Sequence, residues 1–120
     1  MPRILALDTA GSACSVAIGD GNKLLAAHRK AMRHGHAEAL MPMVDAAMRE
    51  ASVAAQELDA VAVSTGPGGF TGIRVGLAAA HGIALAADAR LVGVSSFAAV
   101  AAPLDGQILV AIDSRRADLY

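Results

Sequence analysis

Arg3-Ile4-Leu5-Ala6-Leu7-Asp8, Ser12–Gly19 (SACSVAIG) and Lys23–Lys30 (KLLAAHRK) decide the fold, because they line up three strands before any helical period begins. The first is a short apolar run of the kind a buried strand shows. In the second, Ala13, Ser15 and Ala17 alternate with Cys14, Val16 and Ile18, the period of a strand with two unlike faces. Asp20-Gly21-Asn22 separates the second run from the third. Those residues tolerate the positive φ that a tight hairpin turn requires. The opening is therefore expected to be an antiparallel three-stranded meander.

Downstream the period changes. In His36–Ala51, Leu40, Met41, Val44, Met48 and Ala51 fall on one helical face, with Ala39, Met43, Ala46 and Ala47 elsewhere on the cylinder. Asp59–Ser64 (DAVAVS) reads as a buried strand, followed by a glycine-rich turn and a helix of small residues from about Gly72 to Ala87. Leu91–Ser95 is expected as a strand and Ser96–Ala102 as a short helix ending before Pro103. Gln107–Asp113 (QILVAID) is expected as a strand, and Ala117–Tyr120 as the start of another. The order βββ-α-β-α-β-α-β implies an α/β domain in which a meander feeds βα units, with a mixed sheet and helices on both faces. It is the element order of the ribonuclease-H-like fold of actin, sugar kinases and Hsp70 chaperones. That analogy concerns the fold and leaves function open.

A chain of 120 residues that is 55% hydrophobic and 18% charged suits one folded domain and excludes disorder. Its apolar residues are mostly small and aliphatic, so elements can approach closely while each burial contributes little. A net charge of −1 argues against autonomous nucleic-acid binding. Arg29, Lys30 and Arg33 read as a solvated strand end. Cys14, the single cysteine, reads as a buried inert thiol. The longest apolar stretch, Val75–Ala87, is too short for a bilayer and contains His81. With no signal peptide before the first strand, a cytoplasmic protein without membrane contact is expected.

Ser64-Thr65-Gly66-Pro67-Gly68-Gly69-Phe70-Thr71-Gly72-Ile73-Arg74-Val75-Gly76 joins a strand to a helix. Glycines there admit positive φ, and free N–H groups at a helix start can hold an anion. The phosphate-binding Gly-Lys-Ser/Thr pattern is missing, and the dinucleotide fingerprint fails because its third glycine falls at Gly72 instead of Thr71. The competing reading is a tight turn built on Gly66, Gly68 and Gly69, with Thr71 capping the helix. Asp8, Thr9 and Ser12 stand where the first phosphate loop of actin-like domains lies. Asp8 would orient a metal-bound water and Thr9 and Ser12 would donate to phosphate; alternatively the segment is a strand-linking turn whose Asp8 is satisfied by backbone N–H groups.

The helix of Gly72–Ala87 is apolar almost all round and so needs cover on more than one side. Gly72, Gly76, Ala79, Ala80 and Ile83 form a small-residue strip suited to close helix approach. Met43 and Ala47 extend the second strip of the preceding helix, where methionine adapts to varied partners. These seven residues are the expected partner-binding face. The alternative is that the two strips pack on each other inside the domain.

The glycine-rich segment resembles the signature S/T-x-G-P-G-S-F-T-G-L-R-x-G of the TsaB (YeaZ) family, departing at Gly69 where that family usually has Ser. Ile4–Ala10 resembles the family's opening strand and loop. His36-Ala37-Glu38-Ala39-Leu40-Met41-Pro42 resembles its H-S-E-x-L-L-P helix start, and Val110–Tyr120 its D-A-R-x-x-E-V-Y strand pair. The resemblance implies a non-catalytic accessory subunit in making N6-threonylcarbamoyladenosine in tRNA. Such a subunit binds the catalytic TsaD (Gcp, YgjD) and joins the ATPase TsaE, forms homodimers in isolation, and meets tRNA only through the complex. It implies no tightly bound cofactor, with ATP or ADP belonging to the full complex. It also implies that residues 1–120 are an N-terminal actin-like domain, whose companion domain in the family closes a nucleotide cleft. TsaD-type proteins carry two metal-binding histidines one helical turn apart. His28, His34, His36 and His81 contain no pair at that spacing, so no metal site is expected. His34-Gly35-His36 reads as a surface or capping element. The alternative functions are an actin-like ATP-dependent transferase and a glycoprotease-like peptidase.

Overall fold

Side-chain alternation assigns one face of the sheet to the interior. In the computed structural model, which describes residues 2–11, 13–21, 23–32, 35–66 and 70–94, β1 spans Arg3–Asp8, β2 Ala13–Asp20 and β3 Lys23–Ala31. Gly21 turns β2 into β3 with φ of 60°, as the Asp-Gly-Asn segment requires. Helix α1 covers His36–Ala51, β4 Ala60–Ser64, helix α2 Phe70–Ala87 and β5 Arg90–Val94, with a short 3-10 turn at Ala55–Glu57. The strand order is β3-β2-β1-β4-β5. The meander is antiparallel, while β4 and β5 add in parallel beside β1.

The register puts Leu5 opposite Ile18 and Val61, and Leu7 opposite Val16 and Val63. All six are buried. Each such burial contributes about 1.5–3 kcal/mol, so this layer dominates the cohesion of the domain. Both helices cover it: Leu40, Val44 and Ala47 of α1 and Ala80 and Ala84 of α2 join these strand residues in one core. Among the described residues both long helices thus lie on a single face of the sheet. The remaining candidate for cover on the second face, Ser96–Ala102, lies outside the described residues, as do the strands expected at Gln107–Asp113 and Ala117–Tyr120.

The bounds of α1 agree with its sequence pattern, and its ends show why. Gly35 enters with φ of 86° and Ser52 leaves in the left-handed region, its N–H donating to Arg49 while Val53 donates to Met48. The orientation of α1 departs from expectation. Leu40, Val44 and Ala47 face the sheet, Met43 packs against the core from the side, and Met41 is 49% exposed. The apolar arc of this helix is wide enough to be turned either way, and the small Ala47 allows closer approach to β2 and β3 than Met41 would.

Candidate functional site

Two regions collect the residues singled out in the sequence. The first is the C-terminal end of the parallel strands. Leu7 pairs with Val63, which sets Asp8 beside Ser64 at the edge where α/β sheets commonly bind ligands. One Asp8 carboxylate oxygen accepts the N–H of Ala10 at 3.0 Å. Thr9 is 2% exposed, and its hydroxyl donates to the carbonyl of Gly72. One Asp8 oxygen thus holds its own backbone, and the Thr9 hydroxyl is spent on α2, not offered outward to a phosphate. Ser12 lies outside the described residues.

The glycine-rich turn begins at Thr65, whose N–H and hydroxyl both reach the carbonyl of Val94, at 2.8 and 3.3 Å. Gly66 follows with φ of 100°, a conformation that L side chains rarely adopt. Gly68 and Gly69 lie outside the described residues. Thr71 does not cap α2: the helix already includes Phe70, so Thr71 sits exposed within its first turn.

The second region is the outer surface of α1 and α2, and here the expected face is redrawn. Ala47 and Ala80 are 0% exposed and Gly76 is buried, so none of them offers area to another molecule. Gly72 is partly buried and faces inward: a Cβ there would meet the carbonyl of Thr9, and one at Gly76 the Thr9 hydroxyl, both under 3.0 Å. Gly72 and Gly76 are small because Thr9, just past the end of β1, approaches them. Met43, Ala79 and Ile83 are partly buried and lean on the same core. Among the described residues, the exposed surface of these helices is made of others. Met41 is 49% and Leu85 77% exposed, and Ala78, Gly82 and Ala86 form an outward small-residue row. A groove of about 620 Å³ runs between the helices, with Met41, Met48, Ile83 and Ala86 on its walls and Asp45 and Arg49 on its rim. These two charges pair with each other at 3.2 Å.

The other features behave as ordinary structure. Cys14 is fully buried, and burial, with a smaller contribution from the Asp8 charge, pushes its thiol up and away from thiolate. Arg29 and Lys30 are exposed on the outer strand β3, where cations discourage edge-to-edge pairing; Arg33 and His34 lie outside the described residues. His28 meets Glu50 of α1 at 2.6 Å. Among the described residues no group of three or more His, Cys, Asp or Glu side chains is placed to hold a metal ion. No helix among them is long and apolar enough to cross a membrane.

This is a mixed α/β domain of the ribonuclease-H-like, actin-like class. A hexokinase of the ROK type from Thermus thermophilus shares its fold at a TM-score of 0.55 and 23% identity, over 82% of this chain and 35% of that one. The family model described as "TsaD: tRNA N6-adenosine threonylcarbamoyltransferase" matches residues 28–120. The TsaB protein of Escherichia coli (strain K12), described as a tRNA threonylcarbamoyladenosine biosynthesis protein, is 37% identical over 98% of this chain and 53% of its own length. The TsaB protein of Bacillus subtilis (strain 168) is 31% identical over 98% of this chain and 52% of its own. YeaZ from Pseudomonas aeruginosa superposes with a TM-score of 0.80 at 40% identity, over 84% of this chain and 47% of that one. The chain belongs to the threonylcarbamoyltransferase family of that model, on its TsaB (YeaZ) side. It spans about half the length of the curated relatives it matches.

Proposed function

We propose that this chain is a non-catalytic, partner-binding domain that serves tRNA threonylcarbamoyladenosine biosynthesis by docking a TsaD-type catalytic subunit through the outer surface of α1 and α2. The observation that carries this reading is the apolar surface those helices leave exposed among the described residues: Met41 on the wall of the inter-helix groove and Leu85 on the outer side of α2. Side chains of that size cost solvation when left bare and become anchors when a partner covers them. The outward row Ala78-Gly82-Ala86 lets a second helix come close, and the Asp45–Arg49 pair supplies a polar rim. The Thr9 hydroxyl, donating to the Gly72 carbonyl, supports the non-catalytic part, since it is turned to α2. The same surface would serve a second copy of the chain when the partner is absent, and TsaE, ATP and tRNA would be met through the assembled complex in the cytoplasm.

The test is a titration of TsaD-type protein against the wild-type chain, Leu85→Glu and Met41→Glu. A buried anchor replaced by a carboxylate costs roughly 2–4 kcal/mol of binding, so affinity is expected to fall by about thirtyfold or more with thermal stability unchanged. Wild-type affinity in both variants, or ATP turnover by the isolated chain, would overturn the reading.

A further inference from the structure

Thr9 touches α2 at two places one helical turn apart, through different atoms. Its carbonyl oxygen occupies the space where a Cβ at Gly72 would stand, and its hydroxyl oxygen occupies that space at Gly76. The same hydroxyl donates to the Gly72 carbonyl. Positive φ is seen at Gly21, Gly35 and Gly66 but at neither of these helical glycines, so close approach explains their type and backbone freedom does not. At Gly76 the next neighbours are Val63 Cγ2 at 3.4 Å and Thr9 Cβ at 3.7 Å, both ordinary contacts. One hydroxyl is therefore what excludes a methyl group from position 76.

We infer that Thr9 is a positioning residue: it clasps α2 to the end of β1, sets the height of that helix on the sheet, and thereby places the outward row and Leu85 for a partner. The last clause rests on the partner-binding reading; the clasp itself does not. A helix moves as a unit because interiors are close-packed and respond to a crowded contact by shifting backbone. A methyl group forced against Thr9 on the inner side would displace the outer side with it.

A double-mutant cycle tests the clasp. Gly76→Ala alone is expected to raise the unfolding constant about tenfold or more, since overpacking a tight contact is destabilising. In a Thr9→Ala background the obstructing oxygen is gone, and Gly76→Ala is expected to lower the unfolding constant by about fivefold, the helix-propensity gain of Ala over Gly. This reversal of sign supports the clasp, as does a Gly76→Ala protein that folds only when Thr9→Ala accompanies it. Equal effects of Gly76→Ala in both backgrounds would overturn it. Thr9→Ser, which keeps the hydroxyl, is to preserve the destabilising effect of Gly76→Ala. Titration of TsaD-type protein then reads the positioning role. Gly76→Ala is expected to weaken binding about tenfold and the double variant to restore it, and unchanged affinity in a Gly76→Ala protein whose stability has fallen would sink that role. Leu85→Glu and Met41→Glu keep the two readings apart: wild-type affinity in both variants removes the partner face, while the stability cycle still decides the clasp.

Discussion

Helix α2 carries two rows of small residues that look alike in one dimension and differ in three. Gly72, Gly76, Ala80 and Ala84 run along its inner side, and Ala78, Gly82 and Ala86 along its outer side. Along the inner row, added atoms at Gly72 and Gly76 meet Thr9, and Ala80 is wholly buried. Along the outer row, a Cβ built on Gly82 meets nothing within 4 Å. Among the described residues, smallness is demanded on one side and by nothing on the other. The described fold explains Gly72 and Gly76 of the inner row, and it leaves the outer row, with Leu85 beside it, as the side where a partner would act under the proposed function.

Gly72→Ala is the most direct attempt to break this contrast and has the largest expected effect. Its obstruction is the Thr9 carbonyl oxygen, part of the backbone, so no rotamer change relieves it. A destabilisation of about 3 kcal/mol or more is expected, at the upper end of overpacking costs, measured as a drop in the urea midpoint at constant slope. A change within about 0.5 kcal/mol, the range of neutral surface substitutions, would mean that α2 can shift freely and that the inner row is not filled. Gly82→Ala is the counterpart. Open space and helical backbone predict a gain of about 1 kcal/mol from propensity alone. If a partner helix uses the outer row, the same methyl group is to weaken that complex, so stability and affinity move in opposite directions. A gain in both would leave the outer row merely solvent-facing.

The two rows also mark where the sequence stops being legible. Strand periods, the Asp20-Gly21-Asn22 turn and the ends of α1 are local signals, and the structure follows them closely: β2 extends to Asp20 and α1 keeps its bounds. Which side of a helix faces inward is legible only when polar residues mark the other side. In α2 they hardly do: His81 and Arg74 are the only strongly polar side chains between Gly72 and Ala87. In α1 the ambiguity exchanged Met41 with Ala47. The contact that orders α2 joins Thr9 to Gly72 across 63 residues of sequence, a separation over which no window of local pattern reaches. The same holds for Thr71. Its position after a glycine run suggests a cap, whereas α2 already includes Phe70.

The smallest effect belongs to the far end of β1, away from the Thr9 contacts, and serves as a baseline. There the Arg3 N–H donates to Asp59 at 2.7 Å, and its guanidinium bonds Glu57 and, at 3.4 Å, Asp20. The Ala54 N–H first, and then Arg3, hold the Glu57 carboxyl below its ordinary 4.5. The Arg3 guanidinium is correspondingly pushed up, chiefly by its bond to Glu57, and so stays charged throughout the acid range. A depressed carboxyl stabilises the fold above its unfolded value and loses that contribution as pH falls through its folded value. Stability is therefore expected to decline below about pH 4.5, and Glu57→Gln is to flatten that decline, both followed by urea denaturation from neutral to acid pH. The groups are exposed, so the effect is modest and shrinks with added salt. The clip joins β1 to the 3-10 turn and leaves the clasped end of α2 untouched. The stability gap between Gly72→Ala and Gly82→Ala should thus stay constant across the same acid range, whereas a gap that narrows as Glu57 protonates would show that α2 is held in place from both ends of β1.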